Sequence, residues 1–322
     1  GSRLLQEVRD AYPTQLITAA SLSPFAAGEL PLGFYNSVLA LSFLQEFSDA
    51  VLLFDNAALL SQLSSVATSV SHAASHSSKP PPRVCMKHID AYVARALAGL
   101  VFPTDGAAGK RPFNAADIVS SVCPMPAHKM LELHTSPPPP PPLPNSERKA
   151  APDGLRRVGS AAFRPTSWEV IVADCAGRIP RYDVYHKPIV TLCSQSIARG
   201  VVAEAPDERT KTRLETSLGP SPVTPFAVDW KLSSSVATAL PSVGAQRSLT
   251  VVSNRCSAGA HLEQILLRAR LQLSAHAYVH HYERHGVPAD YIAERLETVQ
   301  QVVDDYAAVS SVLGRGPQVA AP

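Results

Sequence analysis

The apolar positions along this chain change their spacing several times, and each change marks an element. Leu4, Leu5 and Val8 share one side ahead of Pro13, which predicts a short helix over residues 4–12. Residues 16–22 read as a strand. Leu32, Tyr35, Leu39, Phe43 and Phe47 recur every three or four residues, a helical stripe over 32–47. Residues 50–54 are an unbroken apolar run, too short for a helix, and predict a buried strand. Leu59, Leu60 and Leu63 carry a helix over 56–66; Ile89, Val93, Leu97 and Leu100 carry a stronger one over 84–101. A shorter helix follows at 114–123, ended by Pro124, then a strand at 129–133 and a helix at 168–175. Strands are predicted at 188–197, 226–232 and 248–253. Two long helices close the chain, 261–285 and 288–309, with Gly286 as the break and Pro288 suited to the first turn of the second.

Between these elements the pattern dissolves. Residues 64–83 are Ser, Ala, His and Pro, ending Lys79-Pro-Pro-Pro-Arg83, and are expected to be a loop lengthened by low-complexity sequence. Residues 136–164 form a second insertion with consecutive prolines at 137–142. That run favours polyproline II, a stiff rod of about 3.1 Å per residue without internal hydrogen bonds. The connections between the later strands are again Pro/Ser/Ala-rich and are read as loops. Strands interleaved with helices, then a helical pair, predict an α/β fold.

Composition narrows the function classes. At 322 residues the chain is long enough for a sizeable core and about two domains. Charged residues are 17% of the total, against roughly 25% in a typical domain. The 29 prolines and their Ala/Ser neighbours explain that dilution. No apolar run approaches the ~20 residues that span a bilayer, so no membrane segment is expected. A net charge of +2 is too small to suggest nucleic acid. The chain opens Gly1-Ser2-Arg3 without methionine or a signal segment, as a fragment or processed chain would. Cys85, Cys123, Cys175, Cys193 and Cys256 are scattered singly, which reads as reduced, mostly buried thiols.

Two stretches carry a resemblance. Gly33-Phe-Tyr-Asn-Ser-Val-Leu39 leads into Ser48-Asp-Ala-Val-Leu-Leu-Phe-Asp-Asn-Ala-Ala-Leu59: a helix carrying Tyr-Asn, then a strand that ends on Asp-Asn. At the far end, Ala277-Tyr-Val-His-His-Tyr282 leads to Tyr291 and Gln300-Gln-Val-Val-Asp-Asp-Tyr306. In pattern and order these resemble the tubulins, most of all their delta-tubulin branch. The resemblance implies the C-terminal half of a GTP-binding Rossmann-like domain with its core helix over residues 1–101. An α/β intermediate domain at 102–256 and a C-terminal helical hairpin and tail at 257–322 would follow. The family's N-terminal part, with most of its phosphate-gripping loops, would precede Gly1.

The resemblance implies a cytoskeletal protein of centriole or basal-body triplet microtubules and of cilium assembly. Its cofactor would be GTP, with Mg²⁺, and its partners other tubulins, epsilon-tubulin above all, with centriolar proteins. The expected places are the cytoplasm, cytoskeleton, centriole, cilium and nucleus. A different class of reading is a nucleotide-indifferent scaffold of the centriole.

Candidate site residues follow from the same match. Asn56 falls where the family's asparagine contacts guanine. An amide offers both donors and an acceptor to a purine edge without bringing a charge. Asp55-Asn56 equally suits a helix N-cap, and the residues alone leave both readings open. Met86 and Asp90 stand where the core helix presents a ring and an amide to the base. The soft thioether of Met86 can cover a base face, and Asp90 can accept from guanine N–H groups. Glu29 stands where the family has an acid near the ribose. Asp117, in Phe113-Asn-Ala-Ala-Asp117, matches the acid that activates water on the neighbouring subunit's GTP. It is also an ordinary first-turn aspartate.

Gly106-Ala-Ala-Gly-Lys110 is too short for a P-loop. His276/His280 and His281/His285 have i, i+4 spacing but lack a zincin glutamate, so no metal is expected. Ending on Pro-Pro-Leu-Pro144, the proline run suits a proline-recognising domain.

Overall fold

Residues 50–54 are an inner strand covered on both faces, which is why they show no polar alternation. In the computed structural model Ala50, Leu52 and Phe54 face one helical layer, while Val51 faces the other. The structure describes residues 1–23, 30–74, 84–104, 114, 116–136, 167–183, 186–200, 205–219, 228–233 and 247–314. In chain order the elements are α1 (Ser2–Ala11), β1 (Thr18–Ser23), α2 (Gly33–Phe47), β2 (Ala50–Asp55), α3 (Asn56–Ala74), α4 (Met86–Val101), α5 (Asp117–Val122) and β3 (Met130–Ser136). Then come α6 (Trp168–Arg178), β4 (Thr191–Arg199), α7 (Glu208–Leu218), β5 (Val228–Ser233), β6 (Ser248–Arg255), α8 (Ser257–Ser274), α9 (Val279–Glu283) and α10 (Ala289–Gly314).

Among the described residues the strands form one mixed sheet in the order β1-β2-β3-β6-β4-β5. β1, β2 and β3 run parallel, β6 is antiparallel to both its neighbours, and β5 is parallel to β4. The parallel half meets the mixed half through two register pairs, Val51↔Met130 and Leu52↔Leu131. The α/β class expected from the sequence is therefore present.

Three cores hold the layers together. On one face Tyr35, Val38 and Leu41 of α2 pack with Leu262 and Leu266 of α8 and Ile292, Leu296 and Val299 of α10. On the other, Leu59 and Leu63 of α3, Ile89, Tyr92 and Leu100 of α4 and Ile118 of α5 cover β2 and β3. The third joins Trp168, Ile171 and Val172 of α6 and Leu214 of α7 to Leu249 and Val251 of β6. Tyr306 pins the last helix to the sheet. Its hydroxyl accepts from Met130 N–H (3.1 Å) and donates to Asn254 Oδ1 (2.9 Å). The buried Arg199 guanidinium donates to Gly99 O, in the last turn of α4 where carbonyls lack helical partners, and to Pro103 O just beyond it.

Three expectations are corrected. The loop expected at 64–83 begins later, because α3 continues to Ala74. Ala and Ser dilute the apolar stripe, but no Gly or Pro stops the helix there. The connection between β4 and β5, read as loop, contains α7. Asp207 caps it by accepting from Thr210 N–H (2.9 Å), and Gly219 ends it at φ 88°. With Leu214 and Leu218 as its buried apolar residues, it showed little periodicity. The long helix expected over 261–285 stops at Ser274: His276 (φ 49°) and Tyr278 (φ 63°) adopt left-handed conformations, and α9 is a separate short piece. Neither Gly nor Pro announces that break, which comes from docking onto α2.

The polyproline run at 137–142, Pro-Pro-Leu-Pro144, Gly106-Ala-Ala-Gly-Lys110 and Glu29 lie outside the described residues. Among those described, no helix is long and apolar enough to cross a membrane.

Candidate functional site

Parallel strands end on the same side of a sheet, and ligands of α/β proteins gather beyond those carboxyl ends. Here β1 and β2 end flush, with Ser23 opposite Asp55 in the register. The next residue, Asn56, opens α3. The Asp-Asn pair divides two tasks. Asp55 is the cap: its Oδ1 accepts from Ala57 N–H (2.8 Å) and Ala58 N–H (3.3 Å). Asn56 is left out of the capping. Its Oδ1 is buried and has no hydrogen-bond partner among the described residues. Buried amide oxygens are almost always paired, so an orphan at a strand end marks a place for a ligand or water.

Asn56 lines a cleft of about 310 Å³ between β1, β2 and the first turns of α2. Leu53 and Leu41 form part of its wall, and Ser21, Ser23, Asn36 and Ser37 supply polar groups. An apolar wall with a few convergent polar groups is the usual make-up of a small-molecule site, and the volume is at the small end of the ordinary range of about 300–1,000 Å³.

The two stretches that carried the resemblance meet at this cleft. Tyr35 OH donates to Ala277 O (3.1 Å), and Tyr282 OH donates to Asn36 Oδ1 (2.8 Å). The Tyr35 and Tyr282 rings meet edge to face at 5.5 Å. With its oxygen engaged by Tyr282, Asn36 has N–H donors to offer. Asn36 and Asn56 thus give the cleft both kinds of hydrogen-bonding group.

Behind the cleft the strand ends are tied to α8. His261 Nε2 is 2.9 Å from Ser23 Oγ, and its Nδ1 is 3.5 Å from Asp55 Oδ2. Burial pushes the imidazole below its ordinary value, against the pull of Asp55 and Glu132. Glu132 of β3 sits beside them. Burial alone would raise its carboxyl, but the buried Arg255 guanidinium at 3.2 Å, with His134 and Ser257, holds it at about 2. The thiols of Cys123 and Cys175 are pushed up to about 12 by burial, which makes them inert packing groups.

The other sequence candidates lie apart. Met86 and Asp90 are exposed on the first turns of α4, Met86 with 45% of its surface open, and neither lines the cleft. Asp117 stands in the first turn of α5, where its Oδ2 accepts from Asn114 N–H (3.1 Å) and helps form the turn. Sequence reasoning missed Ser23 and His261. A lone serine at a strand end and a histidine in a helix carry no local signal, and only the packing of α8 against the end of β1 brings them together.

No family model matches the chain. Sixty residues are 45% identical to the tubulin gamma chain of Saccharomyces cerevisiae, over 19% of this chain and 13% of that protein. The tubulin gamma chain of Candida glabrata matches with the same identity and coverage. The match thus spans about an eighth of each relative's length. This local likeness supports a place in the tubulin family.

Proposed function

We propose that the protein is a guanine-nucleotide-binding cytoskeletal member of the tubulin family. The observation that carries the reading is Asn56: an amide at the carboxyl end of an inner parallel strand, released from capping by Asp55, lining a cleft, with a buried oxygen that has no partner among the described residues. In this reading its Oδ1 accepts from guanine N1–H or N2–H, positions where adenine has an acceptor and a C–H instead. By the sequence resemblance Glu29 would serve the ribose and Met86 and Asp90 the base. Mg²⁺ accompanies the phosphates. Asp117 orients water on the nucleotide of the next subunit, so that hydrolysis belongs to an assembled filament. Other tubulins are the partners. A delta-type role at centriolar triplets and cilia, with epsilon-tubulin, rests on the sequence resemblance.

The second reading is a nucleotide-indifferent scaffold, and the exposure of Met86 and Asp90 away from the cleft favours it. Calorimetric titration with GTP and ATP, on the chain joined to the N-terminal portion that the resemblance implies, separates the two. Preference for GTP, weakened about tenfold or more in Asn56→Ala with the fold unchanged, is expected for a lost hydrogen bond to the base. Indifference to both nucleotides, in wild type and variant alike, overturns the guanine reading in favour of the scaffold.

A further inference from the structure

Asn36 lines the Asn56 cleft from the first turn of α2 and is exposed there. A primary amide has two senses, related by a half-turn about its last torsion. An exposed asparagine can therefore offer a ligand either its oxygen or its N–H groups. Here one sense is chosen by a residue outside the cleft. The Tyr282 hydroxyl, on α9, stands 2.8 Å from Asn36 Oδ1 and 3.4 Å from Leu32 O. The phenol has one proton, and the shorter contact takes it. Burial, and to a lesser degree the neighbouring Tyr35, pushes the phenol above its ordinary value, so it keeps that proton at neutral pH.

Tyr282 is itself held in place. Its ring meets Tyr35 edge to face at 5.5 Å, and the Tyr35 hydroxyl donates to Ala277 O (3.1 Å), between left-handed His276 and Tyr278. Gln272, near the end of α8, donates to Pro31 O (2.9 Å) just ahead of α2. These contacts fix the connection between α8 and α9 to the start of α2, and with it the place of the Tyr282 hydroxyl.

The geometry points to Tyr282 as a positioning residue: by holding Asn36 Oδ1 it leaves the N–H groups as what Asn36 presents to the cleft, so the ligand edge that meets Asn36 must carry an acceptor. Asn56 and Asn36 then ask opposite things of one ligand, a donor at the first and an acceptor at the second. The inference rests on the guanine reading of the cleft, since a guanine nucleotide carries both kinds of group. Tyr282 touches no ligand and acts through Asn36.

Tyr282→Phe removes the hydroxyl and keeps the ring against Tyr35. GTP affinity is measured by calorimetry for wild type, Tyr282→Phe, Asn36→Ala and the double variant, each on the chain joined to the N-terminal portion that the resemblance implies. Freeing the amide sense alone about halves the competent fraction, and freeing the side-chain rotamer lowers it further. Tyr282→Phe should therefore weaken GTP binding about fivefold. Asn36→Ala should weaken it about tenfold through the lost hydrogen bond. Adding Tyr282→Phe to Asn36→Ala should then change nothing more, because the group it positions is gone; a residue that served only packing would cost the same in both backgrounds. Unchanged affinity in either single variant, or a further fivefold loss in the double variant, would overturn the assignment and leave the guanine reading standing. Absence of GTP binding by the wild type would overturn the guanine reading and this assignment with it.

Discussion

Asp55 and Asn56 are adjacent in the chain and opposite in role: Asp55 Oδ1 takes the first free N–H groups of α3, and Asn56 Oδ1 takes none. The pair therefore makes a separable prediction. Asp55→Ala should destabilise the protein by about 1 kcal/mol through loss of the cap. Asn56→Ala should leave stability within about 0.5 kcal/mol of wild type, because no hydrogen bond within the described structure is lost. Urea denaturation of both variants checks this; equal losses would mean that Asn56 shares the capping.

The pair formed by Glu132 and Arg255 predicts a pH-dependent difference. Glu132→Gln leaves the buried Arg255 without its carboxylate and should cost about 3 kcal/mol at pH 7. The folded carboxyl is held at about 2, below its ordinary 4.5, so its contribution is complete above pH 4.5 and lost as pH falls toward 2. Chemical denaturation of wild type and Glu132→Gln at pH 7, 4 and 3 should show the gap narrowing.

His261 should act in a higher window. Its folded value lies below the ordinary 6.5, so the unfolded chain takes up the proton first. Stability from the neutral ring is full above pH 6.5 and falls as pH drops through the folded value. His261→Gln should remove that slope between pH 7 and 5 while keeping an amide within reach of Ser23. An unchanged slope would assign the titration elsewhere.

Gly99 sets the approach of α4 to β6. A Cβ at this position would overlap Thr250 Oγ1. Gly99→Ala should therefore cost about 1–3 kcal/mol by overpacking. Adding Thr250→Ala removes the clashing oxygen and should recover part of that loss. Thermal unfolding of the single and double variants checks it, and strictly additive losses would refute the contact.

Local pattern went far in this chain because most of its elements bury one continuous stripe. The 32–47 stripe, the apolar run of β2 and the stripe of α4 were legible since spacing alone selects helix or strand. Elements whose form comes from elsewhere were not legible. α7 buries little apolar surface and stands on its Asp207 cap and its packing with α6. The break at 275–278 has no Gly or Pro, and left-handed His276 and Tyr278 are held there while Ala277 O accepts from Tyr35.

For the site, the sequence by itself determined the type of group presented, an amide at the end of a buried strand, because residue identity sets what can donate or accept. Only the tertiary structure decided which of Asp55 and Asn56 caps α3, since both side chains can do so and the answer depends on where each points. It also decided that Ser23, Asp55 and His261 form one junction. Those residues lie as much as 238 positions apart; the β1–β2 register joins Ser23 to Asp55, and the packing of α8 brings His261 to both.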